Sequence, residues 1–61
     1  MKTLTVVEDL HSWHVEHDGR VIFTAIEEER CFQHALDASS QLFEEGVQTE
    51  VILRRYSWVA N

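Results

Sequence analysis

Residues 24–46 read TAIEEERCFQHALDASSQLFEEG, and this stretch decides how the rest of the chain is arranged. Thr24 and Glu27 stand in the spacing of a capping box. In that box the Thr oxygen accepts from the Glu27 N–H, and the Glu carboxylate reaches back to the Thr24 N–H. Gly46 is free to take the left-handed conformation that ends a helix. The signals predict a helix from Thr24 to Gly46, about 31 Å long at 1.5 Å per residue. At 100° per residue, Phe32, Ala35, Leu36, Ser39, Leu42 and Phe43 share one arc, with Cys31 and Ala38 at its edge. Glu27, Arg30, His34, Asp37, Gln41, Glu44 and Glu45 share the opposite arc. Ile26 then falls on the wet side and Glu28 on the dry side, which points to a start one or two residues later.

An amphipathic helix needs an apolar surface to lie on, and the flanking segments read as strands. Thr3–Val7 is β-branched and alternating, and 8–12 read as a turn. Trp13–His17 alternates again and meets Asp18-Gly19, a two-residue hairpin signal, with Arg20–Phe23 returning. In a plain hairpin His17 pairs with Arg20, Val15 with Ile22 and His14 with Phe23. Trp13, Val15 and Ile22 then share one face, while Val21 and Phe23 share the other as an exposed apolar contact pair. A β-bulge would change that register and bury the pair; both arrangements fit the sequence. Residues 48–59 form a last strand, with Val51, Leu53 and Val59 on one side and Ile52, Tyr56 and Trp58 on the other. The expected fold is α+β in two layers. A single helix covers one face of a small, mostly antiparallel sheet in the order β-β-β-α-β, and residues 1–61 form one domain.

Composition narrows the function classes. Eleven acids against five bases give a net charge of −6. That argues against direct nucleic-acid binding, whose affinity comes largely from Lys and Arg neutralising phosphates. It favours encounter with a basic partner, although an acidic surface also serves solubility alone. The lone Cys31 has no disulfide partner within the chain. Met1-Lys2 leads into a strand-like run without an apolar leader, and no apolar stretch approaches 18 residues. A soluble, cytoplasmic protein without a membrane partner is expected, and a monomer rather than a homodimer.

Three constellations invite chemistry. His11, His14 and His17 would share a metal on a helix, but on a strand that spacing turns successive imidazoles to opposite faces. They are expected to be solvated hairpin histidines. Cys31 and His34 stand three apart on the helix as a nucleophile–base pair would. Nucleophilic catalysis would also need an orienting group and an oxyanion hole, and a small thiol at the edge of an apolar arc is ordinary packing. No catalytic residue, cofactor or metal site is expected. Carboxylates are the third group. Glu27, Glu28 and Glu29 open the helix, where the dipole favours them. Glu44 and Glu45 close it, where the dipole disfavours them, so helix stability does not explain their presence. With Asp37 they draw an acidic stripe about 27 Å long. Duplex DNA of that length carries about sixteen charges against the six carboxylates here, so imitation of a phosphate backbone would be partial.

In size, layout and these acids the chain resembles the small acidic anti-CRISPR proteins of phages and mobile elements. The residues carrying the likeness are Glu27, Glu28, Glu29, Asp37, Glu44 and Glu45, with Glu8, Asp9, Glu16 and Asp18 on the hairpin side. The resemblance implies a non-enzymatic inhibitor, acting in a bacterial host cell, that blocks DNA or PAM recognition by a Cas effector. Its partner would be a basic nucleic-acid-binding protein. Glu27, Glu28, Glu29, Asp37, Glu44 and Glu45 would make the charged contacts, and Val21, Phe23 or Tyr56 the apolar anchor. The layout Trp13-x-Val15, Asp18-Gly19-Arg20, the Thr24 cap and Gly46 before the last strand is also similar to a family of short uncharacterised bacterial hairpin-helix-strand domains. It departs from that family where residues 53–58 replace a glycine-bearing turn. A small homodimerising or scaffold module is the alternative expectation.

Overall fold

A computed structural model describes residues 1–55 of this chain. The order is β1 (Lys2–Glu8), β2 (Trp13–His17), β3 (Arg20–Ala25), α1 (Glu28–Glu44) and β4 (Thr49–Arg54). The sheet runs β3-β2-β1-β4, with β1–β2 and β2–β3 antiparallel and β1–β4 parallel. One helix covers one face, so the α+β two-layer architecture is the one expected. Tyr56, Trp58 and Val59 lie outside the described residues.

The hairpin turn follows from its two residues. Asp18 (φ 53°) and Gly19 (φ 78°) both take the left-handed conformation, as the turn type that matches strand twist requires. His17 pairs with Arg20 and Glu16 with Val21, and then the register shifts, so that Val15 pairs with Phe23, His14 with Thr24 and Trp13 with Ala25. The irregularity is a β-bulge, one extra residue on β3. It separates the two side chains expected to be exposed together. Phe23 turns to the helix side with Val15 and stacks on His34, their ring centroids 4.2 Å apart. Val21 stays on the outer face with Glu16 and is 54% exposed. Ile22, expected in the core, is also exposed.

The helix starts later than the capping box predicts. Thr24 and Ala25 are held by β3 in register with His14 and Trp13, so the backbone there is extended and the box cannot form. Glu27 takes the N-cap position with no side-chain capping bond, and Glu28 and Glu29 occupy the first turn. The C-terminus ends as expected. Gly46 (φ 84°) donates to the Phe43 carbonyl at 2.9 Å and Val47 to the Leu42 carbonyl at 2.8 Å, the paired bonds of a Schellman motif. Open space surrounds a Cβ at Gly46, so its conformation alone sets the cost of a side chain there. Gly46→Ala is expected to destabilise the fold by about 1 kcal/mol, read as a lower urea midpoint with unchanged slope.

The buried face of α1 is rotated by about 60° from the expected arc. Cys31 and Ala35 are buried, Ala38 and Leu42 partly buried, while Leu36 and Phe43 are exposed. The side chains buried under the helix are the small Cys31 and Ala35, and the larger Leu36 and Phe43 lie on the flank. His34, expected on the wet side, lies on the inner flank against Phe23. The core comprises Val6, Trp13, Val15, Cys31 and Ala35, joined by Phe23, Ala25, Phe32 and Val51. Leu4 is also fully buried, in register with Val51 and His17. Ser39, the polar member of the expected apolar arc, hydrogen-bonds Thr49 at the start of β4. No described helix is long and apolar enough to cross a membrane.

Candidate partner-binding surface

Arg54, the last residue of β4, and Arg55 just after it turn to opposite sides of the sheet. On the outer face Arg54 reaches across β1 to Glu16, Nη2 to Oε2 3.7 Å. On the helix side Arg55 approaches Glu28 at 3.9 Å and stands over the Trp13 ring, 5.9 Å from its centroid. Both bases at the end of β4 are therefore turned toward acids of the same chain.

The outer sheet face has no covering layer among the described residues, and a hydrogen-bonded network crosses it. His14 Nδ1 lies 2.6 Å from Asp9 Oδ2, and its Nε2 lies 2.7 Å from Glu16 Oε2. Two carboxylates accept from one ring only when both nitrogens carry protons, so the geometry selects the imidazolium. Burial pushes the His14 pKa down. The hydrogen bonds to Glu16 and Asp9, with the charges of those two groups, outweigh burial and raise it above the ordinary 6.5. His14 is thus not a solvated hairpin histidine; its side chain is only 12% exposed. Val7 lies buried between His14 and Arg54 in the register of β1 with its neighbours. His17 faces the other side of β2, and His11 is exposed in the β1–β2 turn. Among the described residues no group of three His, Cys, Asp or Glu side chains is placed to hold a metal ion.

Cys31 is fully buried, and desolvation raises its pKa against the smaller lowering effects of the Ala25 backbone and Arg30. A buried, protonated thiol is a poor nucleophile.

These pairings divide the acids into two populations. On the sheet side, Asp9 and Glu16 are bound to His14, Glu16 also to Arg54, and Asp18 lies 3.4 Å from Lys2, while exposed Glu50 accepts a hydrogen bond from Thr3 at 3.2 Å. On the helix, Glu28 is partly buried at the inner edge beside Arg55 and leaves the expected stripe. Glu27, Glu29, Asp37, Glu44 and Glu45 are exposed, and none forms an ion pair among the described residues. Asp37 accepts a hydrogen bond from Gln33 at 3.0 Å. Glu29, Asp37 and Glu44 follow the outward line of the helix at intervals of about 11 Å, and Glu27 and Glu45 flank its ends. A DNA strand presents a phosphate every 3.4 Å of axis, so the line offers about one charge per three phosphates.

Of the apolar anchors expected, Val21 is exposed on β3, on the opposite side of the sheet from α1, so it does not adjoin the acids. Phe23 is withdrawn against His34, and Tyr56 lies outside the described residues. A different apolar surface does adjoin the acids. Leu36 is 44% and Phe43 74% exposed on the helix flank above β4, on a line with part-buried Phe32. Sequence reading placed all three in the core. The signal for the correct rotation was the row of small residues Cys31, Ala35 and Ala38.

No protein-family model, curated protein or solved structure matches this chain.

Proposed function

We infer that this chain is a non-enzymatic binding protein whose helix presents carboxylates to a basic, nucleic-acid-binding surface of a partner protein and occupies it. One observation carries the reading. The sheet-side acids Asp9, Glu16 and Asp18 are matched within the chain, whereas the helix acids Glu27, Glu29, Asp37, Glu44 and Glu45 are left for solvent or a partner. Acids in the last helical turn work against the dipole, which a binding role explains and helix stability does not. A Cas effector whose DNA- or PAM-reading site is blocked is the partner that the anti-CRISPR resemblance suggests, inside a bacterial cell. Direct nucleic-acid contact is opposed by the same charge. The buried Cys31 and the stacked His34 support a role without catalysis.

The test is affinity capture on the immobilised protein at low and moderate salt, with duplex DNA as competitor. A nucleic-acid-binding protein released by DNA or by salt supports the reading. The double variant Glu44→Lys/Glu45→Lys is expected to weaken that capture about tenfold at low salt. Its melting temperature should not fall, because cations are favoured at a helix C-terminus. Undiminished capture removes the helix acids from the reading.

A homodimerising or scaffold module is the second reading, favoured by the position of β3 and β4 at the sheet's two edges among the described residues and by exposed Phe43. Sedimentation over a concentration series separates the two, a monomer favouring the inhibitor and a dimer the module.

A further inference from the structure

The helix carries two parallel lines with the same 4-3-4 spacing. Cys31, Ala35, Ala38 and Leu42 face the sheet. Phe32, Leu36, Ser39 and Phe43 run beside them on the flank above β4, which the Ser39–Thr49 and Glu28–Arg55 contacts locate. The N-terminal half of this second line opens into a groove lined by Glu28, Glu29, Phe32, Gln33 and Leu36. From Phe32 to Phe43 the seam runs about 16 Å, three helical turns. Leu53 on the helix side of β4 is also exposed.

Charge selects the occupant. Of the two carboxylates at the groove, Glu28 is met by Arg55 at 3.9 Å and Glu29 is exposed, and the outward line Glu29, Asp37, Glu44 runs alongside the seam. A second copy would bring those lines together on two chains of net charge −6 each. An occupant with apolar residues at three- and four-residue spacing and Lys or Arg beside them meets apolar surface with apolar surface and acid with base.

We propose that the Phe32–Leu36–Phe43 seam docks a basic amphipathic helix of the partner, with Phe43 and Leu36 as apolar anchors and Glu29, Asp37 and Glu44 holding its cationic flank. This deepens the function inferred above and rests on it: the seam supplies the apolar anchor that Phe23 does not. The contact is short, so the expected affinity is micromolar and salt-sensitive.

The experiment uses a synthetic Leu/Lys amphipathic helical peptide, a scrambled peptide of the same composition, and the full chain. Binding is followed by fluorescence anisotropy and mapped by amide chemical shifts. Phe43→Ser and Leu36→Ser are chosen because both side chains are exposed; circular dichroism checks that the variants fold. The expected result is tight preference for the amphipathic over the scrambled peptide, shifts along 32–43, and about tenfold weaker binding in each variant. Equal binding of both peptides, mapped to the outward acids and indifferent to the Ser variants, overturns the docking seam and leaves the acidic reading standing. No binding of either peptide at low salt overturns both. Binding that appears only after removal of residues 56–61 assigns the seam to the chain's own end and overturns the proposal. Self-association abolished by Phe43→Ser does the same in favour of a second copy.

Discussion

Leu4→Ala is expected to leave the protein largely unfolded at or slightly above room temperature. Leu4 is fully buried near the middle of the chain's central strand, with His17 on one side and Val51 on the other. Removing a buried leucine costs about 2–5 kcal/mol, the larger values applying where surroundings cannot collapse into the space. Here the neighbours are fixed by two ladders, so collapse is restricted. A core this small supports a total stability of about 3–5 kcal/mol, and the substitution removes half or more of it. Urea titration followed by Trp fluorescence measures the change. The matched control is Leu36→Ala, the same chemistry at an exposed site, for which a loss below about 1 kcal/mol is expected. Equal losses at the two positions would contradict the placement of the core.

Stability is expected to fall as pH rises through the neutral range, because of His14. The folded ring holds its proton more tightly than the unfolded one, since both nitrogens donate to carboxylates. That contribution is complete below the unfolded value of about 6.5 and is lost as pH rises through the raised folded value. Above it, the neutral ring has one N–H for two acceptors, and one carboxylate faces a lone pair. The groups facing His14 are Asp9 from the β1–β2 turn, Glu16 on β2, and Arg54 from β4 acting through Glu16. Deprotonation therefore loosens the turn first, where the Asp9 N–H donates to the Ser12 carbonyl at 2.8 Å. Thermal melts from pH 6 to 9 should show the decline, and amide exchange should quicken at the turn before the strands. His14→Gln keeps one donor but no charge. It should be less stable than the wild type at pH 6, with the difference shrinking toward pH 9. A variant profile parallel to the wild type would exclude His14 as the titrating group.

Which parts of this fold were legible depends on how local their causes are. Asp18-Gly19 forces its turn through two left-handed residues, and Gly46 ends its helix the same way. The bulge on β3 has no such mark. Nothing in Arg20–Ala25 differs from a regular strand, and the extra residue is fixed by Phe23 gaining a place against His34. Thr24 and Glu27 have the right spacing for a cap, but pairing of Thr24 with His14 commits the backbone to the sheet before the helix begins. Helix rotation is less local: the sequence centres the apolar arc on Phe32, Leu36 and Phe43, but the side chains buried against the sheet are Cys31 and Ala35. The acids of the candidate surface were all visible in the sequence. Their division into matched and unmatched sets was not, because it depends on which strands pair: β1–β2 brings Lys2 to Asp18, and β1–β4 carries Arg54 toward Glu16 and Arg55 toward Glu28.

That parallel pairing also dictates the order of assembly. The β2–β3 hairpin closes over two residues, a microsecond event, and β1 folds back onto it through a short turn. β4 must instead find β1 across a wide gap; the hydrogen-bonded pair Thr3 and Glu50 are 47 residues apart. Closing such a loop costs about 2 kcal/mol more than closing a tight turn, so β4 is expected to arrive last. Until it does, β1 exposes a bare edge with Leu4 and Val6 alternating along it, an open template for the same segment of another molecule. Refolding yield should therefore drop as protein concentration rises, even though the finished domain hides that edge completely.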